Sequence, residues 1–209
     1  MSGAPTAPAR STRTLLGRFA EGAPPVSEAG AAVTIVLRDG AREPEVLLIE
    51  RTVNPNDPGS GQVALPGGRV DPADATLAAT AIRELGEEVG LLASDLDGPP
   101  RFVRTELAAR FGLRVAIFAA ALDPMARPPA VASPREVAHV FWLRGGALAE
   151  TRRVFTETVR GRAEVPAAVV DGHLVWGFTR RILRDFFELP PEGDEGGPMF
   201  APARSTAGP

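Results

Sequence analysis

The chain has 209 residues, with 23 basic and 26 acidic side chains and a formal net charge of -3, a length that fits one domain with tails. Every basic residue is Arg, and neither Lys nor Cys occurs, which excludes Schiff-base chemistry, a P-loop lysine, disulfides, thiolate nucleophiles and Cys-ligated zinc. Two histidines are too few for a His-rich metal cage, and the mildly acidic balance argues against a nucleic-acid partner while leaving room for a small anion held by a few arginines.

Residues 1–11 and 190–209 are rich in Pro, Gly, Ala and Ser and read as flexible tails around a core domain at 12–189. The first thirty residues contain no apolar signal region; their Arg content and lack of acids before Glu21 only faintly resemble a transit peptide. A mobile tail and a cytoplasmic location are the default expectation. No membrane association is expected, because the longest uninterrupted apolar run, 115–122, is far short of the ~20 residues of a membrane span.

The core reads as mixed α/β (α+β). A short helix is expected within 11–19, with Leu15, Leu16 and Phe19 on one face. Strands at 31–37 and 45–51 flank the turn Arg38-Asp39-Gly40 and form a hairpin. Residues 54–61 are a Pro-, Asn- and Gly-rich loop of the length used for binding. A short strand at 62–65 leads into Pro66-Gly67-Gly68. Asp74 then caps a helix over 75–89, whose apolar stripe is Leu77, Ala78, Ala81, Ile82 and Leu85, and Gly90 supplies a left-handed end. Strands recur at 101–107, 113–122 and 136–143. A hairpin turn is expected at Asp171-Gly172, and a closing helix over 175–187 buries Phe178, Ile182, Leu183 and Phe186.

The chemistry concentrates on that central helix. Glu84, Glu87 and Glu88 stand at i, i+3 and i+4, so three carboxylates share about one turn of one face. Like charges this close repel; a hard divalent cation would reverse the sign of that energy. Arg83 can orient a carboxylate through a bidentate bond. The paired glycines let backbone approach a ligand, and a carbonyl there could serve as a further ligand. Gly86, at ~1 kcal/mol relative to Ala inside a helix, hints at a close neighbour. A Glu-x-x-Glu-Glu run alone is an ordinary solvated helix face; the composite of glycines, Arg-Glu, Glu-Glu and a terminal Gly-Leu pair is not.

That composite resembles the Nudix box, Gly-x5-Glu-x7-Arg-Glu-U-x-Glu-Glu-x-Gly-U, with U a bulky aliphatic. Arg83, Glu84, Leu85, Glu87, Glu88, Gly90 and Leu91 match its second half. The first half departs: Asp74 stands six after Gly68, with one extra residue before Arg83, so the position eight before Arg83 is Ala75. The extra residue is similar to the coenzyme A pyrophosphatase branch of the family, as are Leu47-Leu48-Ile49-Glu50-Arg51-Thr52 and Gly61-Gln62-Val63-Ala64-Leu65-Pro66-Gly67-Gly68 upstream. Leu16-Gly17-Arg18-Phe19 and Val175-Trp176-Gly177-Phe178-Thr179 also look like that branch. Here Leu65 replaces a Phe, the loop is one residue longer, and the branch's second Arg is missing, since 54–58 hold no cation. The resemblance spans about residues 12–188.

The resemblance implies a Nudix fold, a mixed central sheet between helices, and a Mg²⁺- (or Mn²⁺-) dependent pyrophosphohydrolase cleaving a nucleoside diphosphate linked to another moiety, CoA or a CoA ester first. It implies Glu84, Glu87, Glu88 and the Gly68 carbonyl as metal ligands, Arg83 as their partner, Arg51 and Gln62 as substrate-binding residues, and leaves the general base open among the box carboxylates and Glu136. ADP-ribose, NADH or dinucleotide polyphosphates on the same scaffold are the alternative substrates; a non-enzymatic nucleotide-sensing domain is the alternative outside catalysis, and the intact carboxylates speak against it. An isomerase of the same fold that uses a catalytic Cys is excluded by composition. The expected partner is a small nucleotide, with self-association to a homodimer open. His139, His173 and Trp176 read as packing or surface residues, and Phe111 and Arg114 as weak candidates for a substrate mouth.

Overall fold

The computed structural model describes residues 11–22, 24–55, 57, 59–109, 112–158, 161–190 and 201–202. In chain order the regular elements are α1 (Thr12–Leu16), β1 (Ala31–Asp39), β2 (Pro44–Arg51), β3 (Val63–Ala64), β4 (Gly67–Arg69), α2 (Leu77–Val89), β5 (Arg101–Ala108), β6 (Leu113–Ala121), β7 (Val137–Arg144), β8 (Thr151–Thr158), β9 (Gly161–Val170), β10 (His173–Trp176), α3 (Gly177–Phe186) and β11 (Ala201–Pro202).

The first seven strands form one mixed sheet, as expected, in the order β3-β2-β1-β6-β5, with β4 also on β1 and β7 on β2. β1 and β2 are the expected hairpin, and β1 runs parallel to β6 from Ala31↔Val115 to Leu37↔Ala121. A parallel neighbour requires a long crossover, and the segment that supplies it carries β3, β4 and α2. Both faces of the sheet are covered, so β1 reads as a nearly unbroken apolar run. Ala32, Val36, Leu47, Ile49, Ala116, Phe118 and Ala120 meet Leu77, Ala81, Leu85 and Val89 of α2. On the other face Ile35, Leu37, Val46, Leu48, Ile117 and Ala119 meet Leu15 and Leu16 of α1 and Ile182, Leu183 and Phe186 of α3. The period of two along each strand assigns the faces.

α2 starts two residues later than expected, and its cap is Thr76 rather than Asp74: Thr76 Oγ1 accepts from the Ala79 N–H at 3.1 Å. The Asp74 carboxylate is engaged by Arg83 instead. Gly90 does end the helix in the left-handed region, at φ 71°. Gly86 has no tight neighbour; a Cβ there would meet the Leu91 carbonyl at an ordinary 3.7 Å. The short β4 has no signal in the sequence, because three residues of glycine and arginine carry no strand pattern.

A second sheet of β8, β9, β10 and β11 packs beyond the first. Only its β9–β10 turn, with Asp171 at φ 50° and Gly172 at φ 86°, was legible beforehand. α3 begins at Gly177 because 175–176 belong to β10. Arg18 lies over Phe19 and Phe186, whose rings stack at 5.5 Å, which fastens the N-terminal helix segment to the end of α3. No helix among the described residues is long and apolar enough to cross a membrane.

Candidate active site

The site forms where β4 meets α2, and backbone proximity dictates its glycines. Gly67 has φ 147°, and a Cβ on it would lie 2.3 Å from the Ala32 carbonyl of β1. A Cβ on Gly68 would lie 2.4 Å from Glu84 Oε1. The first glycine therefore lets the strand lie against β1, and the second leaves room for a carboxylate.

Glu84 and Glu88, one turn apart on α2, are 9% and 2% exposed. Glu88 Oε2 accepts from the Gly67 N–H at 2.8 Å. Burial pushes the Glu88 carboxyl up to about 8; the Gly67 N–H and Arg51 oppose the shift, and Glu84 and Glu136 add to it. Burial also raises the Glu84 carboxyl, against the pull of Arg83, with Glu87 and Glu136 adding to the rise. The field felt by this buried pair therefore includes Glu136, on an exposed turn before β7 whose carbonyl accepts from the Thr52 N–H at 2.9 Å.

Arg83 is held on several sides. Its Nε and Nη2 donate to the two Asp74 oxygens at 3.1 Å each, Nη1 donates to Glu84 Oε1 and Glu87 Oε2 at 2.9 Å each, and Nη2 also reaches the Arg69 carbonyl at 2.9 Å. These bonds hold the guanidinium charged well above its ordinary range and the Asp74 carboxyl down at about 2. Asp74, six residues after Gly68, thus reaches Arg83 with the extra residue lying between them. Glu87 is the most exposed of the three helix carboxylates and lies against Arg83.

Among the described residues no three His, Asp or Glu side chains converge as a ready-made metal cage. The donor chemistry nevertheless fits a hard divalent cation. Two carboxylates buried together, with one N–H and one guanidinium as neutralising partners, favour a cation that water cannot replace at that depth.

Arg51 ends β2 on the α2 side of the sheet, close enough to Glu88 to lower its pKa. Its Nε and Nη2 donate to Asp57 Oδ2 at 3.2 and 2.6 Å. Gln62 is half-buried beside it, and its carbonyl accepts from the Arg51 N–H at 3.0 Å. Arg83, Glu84, Glu88, Arg51, Gln62 and Glu136 are thus brought to one end of the sheet. Arg114 is not: its Nε donates to the Glu28 carbonyl at 3.0 Å, a structural tie. Phe111 lies outside the described residues. His173 binds Glu50 through Nδ1 at 3.0 Å and stacks on Phe141 at 3.9 Å, on the face of the sheet away from α2. Sequence reading missed Asp57; a lone acid in a turn-rich loop carries no signal until the loop folds onto Arg51.

A family model described as NUDIX domain matches residues 28–159. The mitochondrial coenzyme A diphosphatase NUDT8 of Homo sapiens is 30% identical over 167 residues, covering 77% of this chain and 69% of that protein. The uncharacterized Nudix hydrolase NudL of Salmonella newport is 31% identical over 166 residues, covering 76% and 80%. Among solved structures, a MutT/nudix family protein from Enterococcus faecalis aligns with a TM-score of 0.49 at 16% identity, over 79% of this chain and 62% of that one.

Proposed function

The chain belongs to the Nudix family of pyrophosphate-bond hydrolases, and from that premise we propose that it is a divalent-metal-dependent enzyme, Mg²⁺ or Mn²⁺, acting on CoA or a CoA ester. The observation that carries the metal site is the buried Glu84–Glu88 pair set against Gly67-Gly68. Glu84, Glu88, the Gly68 carbonyl and Glu87 would hold the metal. When bound, it supplies charge neutralisation at the diphosphate oxygens and acidifies water.

The chain's own residues do the rest. Asp74 fixes Arg83, and Arg83 fixes Glu84 and Glu87, so the carboxylates are oriented before substrate arrives. Arg51 offers a guanidinium to a phosphate oxygen, with Gln62 beside it. Glu136, exposed and within the field of Glu84 and Glu88, is the candidate base outside the helix. Support for CoA comes from the relative named as a coenzyme A diphosphatase and from the upstream motif around Arg51. A second reading, ADP-ribose or NADH, is favoured by one observation: no residue of 54–58 is a cation, and Asp57 there neutralises Arg51.

The experiment is hydrolysis of CoA, acetyl-CoA, NADH, ADP-ribose and diadenosine polyphosphates with Mg²⁺ and with Mn²⁺, products identified by mass. CoA cleaved to 4′-phosphopantetheine and 3′,5′-ADP supports the first reading. An inert CoA with another substrate cleaved moves specificity to loop 52–61, and no cleavage of any overturns the enzymatic reading. A cytoplasmic location and a homodimer belong to the same proposal and are read by cell fractionation and light scattering.

A further inference from the structure

Arg51, the last residue of β2, is a cation near enough to Glu88 to act on it, and Asp57 spends a carboxylate on that cation. Asp57 Oδ2 takes both Nε and Nη2, at 3.2 and 2.6 Å. Its other oxygen, Oδ1, accepts from the Gly59 N–H at 2.8 Å. The loop then closes over the pair: a Cβ on Gly59 would lie 3.2 Å from Arg51 Nε, and the Ser60 N–H donates to the Asp57 carbonyl at 3.0 Å. The Arg51 side chain remains 32% exposed, so a ligand can reach the guanidinium, and it meets a carboxylate already there.

Each edge of a guanidinium matches one carboxylate or one phosphate in bidentate fashion, and Asp57 holds the Nε/Nη2 edge of Arg51. A phosphate oxygen arriving at that edge must displace Asp57, and one arriving at Nη1 meets a guanidinium whose charge Asp57 already offsets. We propose that Asp57 is a specificity-determining residue, an internal competitor that occupies Arg51 and lowers the affinity of the site for phosphate groups, most of all for ligands carrying an extra phosphate monoester. The proposal rests on the site read above as a phosphate site and adds what sets its charge selectivity. The alternative is that Asp57 only positions Arg51. The two differ in sign: release of a competitor tightens anion binding, whereas loss of an orienting partner weakens it.

The test is calorimetric binding of ADP and of adenosine 3′,5′-bisphosphate to the full chain with Ca²⁺ present, for the parent, Asp57→Asn and Asp57→Ser. Both variants keep an oxygen for the Gly59 N–H, and thermal melts confirm that they fold. At least fivefold tighter binding is expected, larger for the bisphosphate, and the gain disappears when Arg51→Gln is added. Unchanged, weaker or undetectable binding in both variants overturns the proposal, as does a gain that survives Arg51→Gln. The hydrolysis panel is read separately: a chain that cleaves no diphosphate but binds tighter after Asp57→Asn loses the enzymatic reading and keeps this one.

Discussion

The two faces of the central sheet are built from the same strands and do different work. The face under α1 and α3 carries large aliphatic and aromatic side chains, Leu15, Ile35, Leu37, Leu48, Ile117 and Phe186, and the Glu106 carboxylate there is paired with Arg104 and Arg181. The face under α2 carries small residues near β4, Ala32, Ala81 and Ala116, and admits Glu84 and Glu88 beside them. Small side chains bring α2 close to β1 and β4, which is what brings its carboxylates to Gly68. One face supplies most of the apolar burial; the other buries two like carboxylates together, which is unfavourable for folding when both are ionised unless a cation compensates them.

That contrast predicts separable mutations. The largest effect is expected from Phe186→Ala, which empties a fully buried site and costs about 4 kcal/mol of stability by chemical denaturation. The folded fraction keeps its turnover number; a matching fall in kcat per folded molecule would dissolve the distinction between the faces. Glu88→Gln is the converse. It keeps the shape and removes a carboxyl that can ionise onto a metal, so kcat falls ~100-fold or more while the melting temperature stays level or rises. Unchanged turnover would remove Glu88 from the metal site.

Smaller effects sharpen the picture. Asp74→Asn leaves Arg83 with fewer charged partners and should lower kcat by about tenfold through misplaced Glu84 and Glu87; Asp74→Glu restores part of the loss if the pairing is the cause. The smallest effect is a pH dependence of stability. The Asp74 carboxyl sits at about 2 when folded, below its ordinary 3.8, held there chiefly by Arg83. Its stabilisation is therefore complete above 3.8 and is lost as pH falls through about 2. The acid limb of the parent's stability curve should be steeper than that of Asp74→Asn; identical limbs would mean the pair contributes nothing.

Legibility followed the two kinds of region. The helix face of Glu84, Glu87 and Glu88, the glycine pair before it and the Gly90 cap were readable, because each depends on residues a few positions apart. The β8–β9 hairpin was not: its pairs set Arg153 against Pro166 and Phe155 against Glu164, on strands with no clean alternation, and Phe155 is exposed. Thr76 displaced Asp74 as the helix cap because both residue types can cap, and only the position of Arg83 decides between them.

The sequence by itself determined the chemistry on offer: arginines without lysine, no thiol, and an acidic helix turn behind two glycines. Those are local properties, set by residue type and by the helical and strand periods. The tertiary structure alone decided which carboxylates are buried, that Arg83 is braced by Asp74, that Glu136 adds its charge to the cluster from the turn before β7, and that Asp57 closes on Arg51. Each of these joins residues the chain brings together only by packing α2 on the sheet or by folding a loop back over its strand, and burial and charge proximity are properties of that packing.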